Sequence, residues 1–253
     1  MMLQESSTAG LTVRQASVHY GAMVAVRAVD LRVRPGQVVG LVGTNGAGKS
    51  SLLRAVSGLV SLSSGSCMLD GRDISRVPAY KRALAGLAHV PEGRGLFPRL
   101  TVAENLQAGA PQARATTIRE RFEQVYQIFP KLSDRRTQLA GSLSGGEQQM
   151  VAIARALMSE PKVMMFDEPA LGLAPVMVDQ VALTIRRLAQ AGKAILLAEQ
   201  HVDLAVRCAD EIHVLVLGTL ERTVTVNATD DEDHRLHLVE LIMGGSPEQA
   251  LHV

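Results

Sequence analysis

A glycine-rich segment, residues 43–50, constrains the fold of this 253-residue chain more than any other feature. A near-continuous apolar run at residues 37–42 precedes it, which is typical of a central parallel strand covered on both faces. Residues 50–58 follow, and their apolar side chains recur at helical spacing. A strand, a tight glycine loop and a helix in this order predict an α/β fold whose helix start faces an anion.

The loop reads Gly-Thr-Asn-Gly-Ala-Gly-Lys-Ser, which fits the Walker A pattern. Its glycines let backbone N–H groups turn toward phosphate oxygens, because no side chain stands in the way. Lys49 would reach the β- and γ-phosphates, and the hydroxyl group of Ser50 would bind Mg²⁺. Taken alone, the pattern also fits a glycine-rich turn with an incidental lysine. We expect a nucleoside triphosphate to be bound by Gly43, Asn45, Gly46, Ala47, Gly48, Lys49, Ser50 and Ser51.

Two acidic residues, Asp167 and Glu168, end a second apolar run at residues 163–166. An aspartate that leaves a buried strand is well placed to hold Mg²⁺, which prefers oxygen ligands and keeps several waters. Glu168 would then orient or deprotonate the attacking water. Without further motifs, the two residues could equally be a charged cap at the end of a strand.

The remaining apolar segments predict a wound sheet. Residues 177–189 have helical periodicity and lie between two of the predicted strands, and such alternation favours a largely parallel sheet. Residues 11–19 and 25–33 alternate apolar and polar side chains, as half-buried strands do. Further buried strands are predicted at residues 87–90, 163–166, 194–198 and 212–217.

Two regions do not show this pattern of apolar strands and intervening helices. Residues 102–139 have helical spacing and no convincing strand, so we expect an inserted helical lobe at about residues 97–155. From residue 223 the pattern weakens into an acidic loop at 230–233 and a short helix around Leu238. His234 and His237 lie beside consecutive acids without metal-ligand spacing, which favours a solvated loop over a metal site.

Charge and cysteine content restrict the function. The 26 Lys and Arg residues nearly balance the 25 Asp and Glu residues, so we expect no nucleic-acid partner and no attraction to an anionic membrane. Cys67 and Cys208 form no CxxC pattern, which favours two small core residues in a reducing compartment. We expect no signal peptide, and no run approaches the roughly 18 apolar residues of a spanning helix. A role at a membrane would therefore need docking to another chain.

A third motif, Leu-Ser-Gly-Gly-Glu at residues 143–147, makes a resemblance specific. In order and spacing with the Walker A loop and the 167–168 acids, it resembles the signature of ABC ATPases, over about residues 11–220. Ser144, Gly145 and Gly146 at a helix start would form a second backbone cradle for an anion, while Glu147 completes a capping box. In that family the second cradle contacts the ATP held by the partner subunit.

The resemblance implies an ABC ATPase fold: an α/β P-loop NTPase core with a mostly parallel sheet, an N-terminal antiparallel β subdomain and the inserted helical lobe. One domain would span residues 1–253, with the core and β subdomain at about 10–96 and 156–222. The lobe would occupy about residues 97–155, and a variable tail residues 223–253. The implied cofactors are ATP and Mg²⁺.

The resemblance also assigns single residues. Tyr20 falls where the family places an aromatic ring that stacks on adenine, although a core tyrosine fits the sequence nearly as well. His201 matches the histidine that touches the γ-phosphate, although a lone histidine is usually structural. Glu168, His201 and Lys49 would form the catalytic set.

Two positions depart from the common pattern. Glu92 replaces a glutamine near the nucleotide and Mg²⁺, which keeps the acceptor oxygen but adds a charge. Opposite Glu168, that charge could raise a carboxyl pKa. Ala174 stands where many relatives have an aspartate, so contact across a dimer should be weaker there. Ser50, Glu92 and Asp167 would be the metal ligands.

Both departures resemble the smaller ATPase subunit of branched-chain amino-acid uptake systems. The resemblance implies an ATP-hydrolysing importer subunit at the cytoplasmic face of the plasma (inner) membrane, bound peripherally. Its partners would be a second ATPase subunit (a distinct one or a second copy), membrane permease subunits and an extracellular substrate-binding protein. Urea, short amides and further amino acids are alternative cargoes. The sequence also allows a soluble ABC ATPase acting on DNA or ribosomes, or a nucleotide-binding regulator without turnover.

Overall fold

The computed structural model describes residues 9–111 and 113–226. Within these residues the chain contains ten strands: β1 (Leu11–Tyr20), β2 (Met23–Val33), β3 (Val38–Val42), β4 (Ser64–Leu69), β5 (Arg72–Asp73), β6 (Leu87–Val90), β7 (Val163–Asp167), β8 (Ala194–Glu199), β9 (Glu211–Val216) and β10 (Thr219–Thr225). The same part of the chain contains eight α-helices: α1 (Lys49–Ser57), α2 (Ala79–Leu84), α3 (Val102–Ala108), α4 (Ala115–Ile128), α5 (Pro130–Asp134), α6 (Gly145–Leu157), α7 (Pro175–Gln190) and α8 (Val202–Cys208).

The larger sheet has the strand order β10-β9-β3-β8-β7-β6 among the described residues. Strands β9, β3, β8, β7 and β6 are parallel neighbours, and β10 pairs with β9 in the antiparallel sense. Every residue of β3, β7 and β8 is buried, which explains why these strands read as continuous apolar runs. The predicted parallel sheet is therefore confirmed.

Side chains of each central strand alternate between two hydrophobic cores. On β7, Met164 and Phe166 pack into a core formed with α3, α6, α7 and α8. Val163 and Met165 point to the other face, where they pack with α1 and the antiparallel sheet. Helices thus cover one face, and α1 with the smaller sheet covers the other, so the central strands are enclosed on both sides.

The smaller sheet is antiparallel, with the order β2-β1-β4-β5 in the part of the chain that the structure describes. Its first two strands are the hairpin that alternation predicted, and the observed second strand begins earlier, at Met23. Strands β4 and β5 and helices α2 and α8 were not predicted, because they are short and mixed in polarity.

The helical texture predicted for residues 102–139 is confirmed by α3, α4 and α5. Capping boxes begin α3 at Thr101 and α6 at Ser144, which fixes both helix starts. The limits of the lobe and of the other subdomains remain predictions. No helix of the described residues is long and apolar enough to cross a membrane.

The region after residue 211 differs in part from expectation. Strand β9 ends at Val216, and Leu217 turns with φ 47°, so the predicted strand was one residue too long. Strand β10 was not predicted, and its last residues lie in the predicted tail, because the strand continues to Thr225. Both cysteines are buried, as predicted. The predicted acidic loop, the helix near Leu238, and His234 and His237 lie outside the described residues.

Candidate active site

The glycine loop between β3 and α1 is held tightly by neighbouring backbone. A Cβ atom added at Gly43 would lie 2.3 Å from the carbonyl oxygen of Leu215. At Gly48, which has φ +108°, it would lie 2.2 Å from the carbonyl oxygen of Ala25. Gly46 has φ +81° and open space around it. Two glycines are thus required by close packing, and the third by backbone conformation.

Lys49 begins α1, and its side chain turns back into the loop. Its Nζ donates to the carbonyl oxygens of Gly43 at 2.6 Å and Thr44 at 3.2 Å. It also lies 3.1 Å from Oε1 of Glu168. Both side chains of this ion pair are buried, so the pair lies in a low-dielectric environment where charges interact strongly.

Ser50 and Asp167 meet directly beside this pair. The Ser50 hydroxyl donates to Oδ1 of Asp167 at 2.9 Å. Burial raises the pKa of Asp167, the nearby charges of Glu168 and Glu92 raise it further, and the Ser50 hydrogen bond opposes them. The expected effect of Glu92 on a carboxyl group thus occurs at Asp167, with burial as the main cause. A hydroxyl and a carboxylate side by side are the oxygen donors that Mg²⁺ prefers.

Glu168 has an unusual backbone conformation, with φ 49°. Its N–H donates to the carbonyl oxygen of Ala198 at 2.9 Å, and its Oε2 accepts the N–H of Gln200 at 2.9 Å. The left-handed region costs a non-glycine residue free energy, and such strain often occurs at functional sites. These contacts with β8 and with the residue that follows it hold the carboxylate beside Lys49.

These side chains open onto one cleft of about 260 Å³. The predicted residues that line it are Asn45, Gly46, Ala47, Gly48, Lys49, Ser50, Ser51, Glu92 and Glu168. Met23, Val24 and Ala25 of β2 also line it. Sequence reasoning missed these three residues, because only the close packing of β2 on the loop brings them there.

Four residues predicted for this site lie outside that lining: Gly43, Asp167, Tyr20 and His201. Gly43 and Asp167 adjoin the cleft through their hydrogen bonds with Lys49 and Ser50. Tyr20 is 40% exposed at the end of β1, where it pairs with Met23 across the hairpin turn. His201 is exposed and precedes the first residue of α8. Among the residues that follow β8, it is Gln200 whose backbone contacts Glu168.

The signature residues lie on a different surface of the same chain. Ser144 is exposed and accepts the N–H of Glu147 to cap α6, followed by Gly145 and the buried Gly146. A Cβ atom on Gly146 would lie 2.1 Å from the terminal methyl carbon of Met177. Ser144 lines a separate groove with residues of α5 and α7, so one chain does not bring the two predicted phosphate cradles together.

The loop after β6 is tied to the signature helix by arginines. Arg94 donates to the side-chain oxygen of Gln148 at 2.9 Å. Arg155 of α6 donates to the carbonyl oxygens of Gly95 at 2.7 Å and Arg94 at 3.1 Å, and its guanidinium carbon lies 5.5 Å from the centre of the Phe97 ring. The segment that carries Glu92 is therefore anchored to α6.

Comparison with known proteins points to one family. A family model described as ABC transporter matches residues 26–171. The chain is 40% identical to the high-affinity branched-chain amino acid transport ATP-binding protein BraG of Pseudomonas aeruginosa, over 83% of this chain and 90% of that protein. It is 31% identical to the lipopolysaccharide export system ATP-binding protein LptB of Escherichia coli strain K12, over 92% of this chain and 98% of that protein.

A solved structure agrees in fold. An ATP-binding cassette of an ABC transporter in its ADP conformation superimposes with a TM-score of 0.80 and 23% identity. The match covers 94% of this chain and 99% of that one. The arrangement of a parallel sheet, an antiparallel sheet and a helical region is thus the cassette fold.

Proposed function

Because this chain belongs to the ABC transporter family, whose ATP-binding cassettes hydrolyse ATP, we propose that it powers the import of branched-chain amino acids. The observation that carries the proposal is the meeting of Lys49, Glu168 and the Ser50–Asp167 pair at the carboxyl edge of the parallel sheet. Ligands of open parallel sheets bind at this edge. The 40% identity to BraG supports branched-chain amino acids as the substrate.

Each side chain has a task in binding Mg·ATP. Backbone N–H groups of the 43–50 loop and Lys49 bind the phosphates, since an α-helix start and an ammonium group both attract anions. Ser50, Asp167 and Glu92 would hold Mg²⁺, which neutralises phosphate charge when bound. Tyr20, next to Met23 at the cleft, stacks on adenine.

The two remaining residues, Glu168 and His201, act in hydrolysis. Glu168 orients the attacking water and accepts its proton, because its carboxylate is fixed beside Lys49 at the cleft. Once Lys49 binds phosphate, its ammonium group interacts with the nucleotide, and its attraction for Glu168 becomes weaker. His201 contacts the γ-phosphate, which requires its exposed side chain to turn toward the cleft.

The signature surface completes the site of a second subunit. Ser144, Gly145 and Gly146 lie away from the cleft of their own chain and present a capped helix start. We infer that this surface closes over ATP bound by a partner, either a distinct ATPase subunit or a second copy. Ala174 lacks a charge at this contact, which favours a distinct partner.

Membrane association occurs through a permease. The 94–97 loop, anchored by Arg155, ends at Phe97, which is 50% exposed. A groove of about 700 Å³ lies between α2 and the helical region, where Tyr80 and Leu84 are more than 60% exposed. An apolar patch of this kind suits a permease segment. An extracellular substrate-binding protein would deliver the cargo on the other side.

Export is the second candidate, and the 31% identity to LptB over 92% of this chain favours it. Urea, short amides and further amino acids are the alternative cargoes of an importer. We propose import over export because the identity to BraG is higher than the identity to LptB.

The test uses the chain in complex with its permease and binding protein in membrane vesicles. We expect labelled leucine uptake with ATP, and loss of both uptake and ATP hydrolysis in Glu168→Gln. The matched control is Glu123→Gln on α4, the same chemical change at a side chain that is 68% exposed. ATP-driven movement of lipopolysaccharide without leucine uptake would support export instead. Wild-type turnover in Glu168→Gln would contradict the assigned mechanism.

A further inference from the structure

Glu199, the last residue of β8, is a buried acid that the assigned roles do not use. It is 1% exposed, and its Oε1 accepts the N–H of Ala170 at 3.0 Å. Its Oε2 is buried without a hydrogen-bond partner among the described residues. Asp167, the last residue of β7, pairs with Ala198 of β8, and the residues that follow these two, Glu168 and Glu199, interact through their carboxyl groups.

Three titratable groups in the described residues interact with this carboxyl group. They are Glu168 after β7, Lys49 on α1 and the buried thiol of Cys208 on α8. Lys49 lowers the pKa of Glu199, but it already pairs with Glu168 at 3.1 Å, so the two carboxyl groups share one cation. Burial raises the pKa of Glu199 to about 8, and the negative charge of Glu168 acts in the same direction.

We propose that Glu199 is a positioning residue for Glu168, holding the catalytic carboxylate from one side and the backbone of Ala170 from the other. The inference rests on the proposed role of Glu168 in activating water. Ala170 begins the segment that leads to α7, so a single side chain links the hydrolytic carboxylate to this segment.

The uncharged form of Glu199 suits both contacts. Its Oε1 accepts from Ala170, and a proton on Oε2 can be donated to Glu168. Glu168 would then have three donors around its carboxylate: Lys49, the N–H of Gln200 and Glu199. Ionised Glu199 would place a like charge beside Glu168. The repulsion would move Glu168 away from the position in which it orients the attacking water.

The experiment compares Glu199→Gln with Glu199→Leu in the assembled transporter, at pH values from 6.5 to about 9.5. Leucine removes the donor and the acceptor, and we expect about a 100-fold loss of kcat with little change in the ATP concentration at half-maximal rate. Glutamine is a neutral mimic that keeps both, so it should recover most of that loss. Wild type should lose turnover above pH about 8, and Glu199→Gln should lose this alkaline decline.

Several outcomes would overturn the proposal. One is wild-type turnover in Glu199→Leu, and another is an unchanged alkaline decline in Glu199→Gln. The third is a loss of turnover at pH 7 that is as large in Glu199→Gln as in Glu199→Leu. If Glu199→Leu fails to fold, the pH profile of Glu199→Gln decides alone. Glu168→Gln is measured in parallel, because wild-type turnover in that variant would reject the role of Glu168 independently of Glu199.

Discussion

Lys49 Nζ lies 3.1 Å from Oε1 of Glu168, and the two side chains are only 4% and 7% exposed. The pair connects the start of α1 to the end of β7, the two elements that meet at the cleft. Removing one member of a buried pair leaves an uncompensated charge, whereas removing both does not. The pair is therefore a site where stability and nucleotide binding depend on the same charges.

We expect Lys49→Met to lower the free energy of unfolding of the nucleotide-free chain by about 3 kcal/mol, because Glu168 is then buried without its cation. The double variant Lys49→Met/Glu168→Gln should recover at least about half of this loss. Urea unfolding at pH 7 measures both. Equal stabilities of the single and double variants would mean that the unpaired charge of Glu168 does not cause the loss.

Gly48→Ala should destabilise the loop by about 3 kcal/mol or more and abolish ATP binding. A Cβ atom there meets the carbonyl oxygen of Ala25 at 2.2 Å, and the backbone of β2 would have to move. Gly46→Ala is the matched control, since it has positive φ but open space, and should cost about 1–2 kcal/mol. Binding of a fluorescent ATP analogue and thermal unfolding distinguish the two. Equal effects would exclude the packing explanation.

Gly146→Ala should leave ATP binding by its own chain intact and lower hydrolysis about tenfold, because the new methyl group displaces Met177 and shifts the signature loop. Adding Met177→Ala makes room for the methyl group and should restore part of the turnover. Steady-state hydrolysis by the assembled complex provides the measurement. If the double variant is as slow as the single one, the contact with Met177 is not the cause.

Arg155→Lys should loosen the 94–97 loop, because lysine cannot donate to the carbonyl oxygens of Gly95 and Arg94 in the same planar geometry. We expect a loss of about 1–2 kcal/mol in stability and faster hydrogen exchange at residues 94–97. Arg119→Lys, an 86% exposed site on α4, is the control. Unchanged exchange in Arg155→Lys would show that α6 does not anchor this loop.

The buried strands and the glycine loop could be predicted because their signals are local. A strand covered on both faces must be apolar throughout, as β3, β7 and β8 are. The contacts among Lys49, Ser50, Asp167 and Glu168 could be expected only from the shared sheet edge and the family resemblance. Their distances depend on strand register, which the sequence does not state.

Other parts of the site depend on packing between distant segments. Met23–Ala25 of β2 line the cleft because β2 packs on the loop at Gly48, and hairpin alternation contains no sign of this. Glu199 interacts with Glu168 because β7 and β8 are parallel neighbours, and the sequence around residue 199 does not indicate this contact. Strand β10 was missed entirely, because it pairs with β9 at the sheet edge, where polar side chains are tolerated.

If ATP is enclosed between the cleft of one chain and the signature surface of another, two chains must associate when ATP binds, and their mass shows this directly. Light scattering of Glu168→Gln would be measured with and without Mg·ATP, for the chain alone and mixed with the second ATPase subunit of its transporter. We predict an ATP-dependent shift from one chain to two in at least one of these samples, and a smaller fraction of the dimer when Gly146→Ala is added. A chain that binds ATP yet keeps the mass of a monomer in both samples would contradict the account.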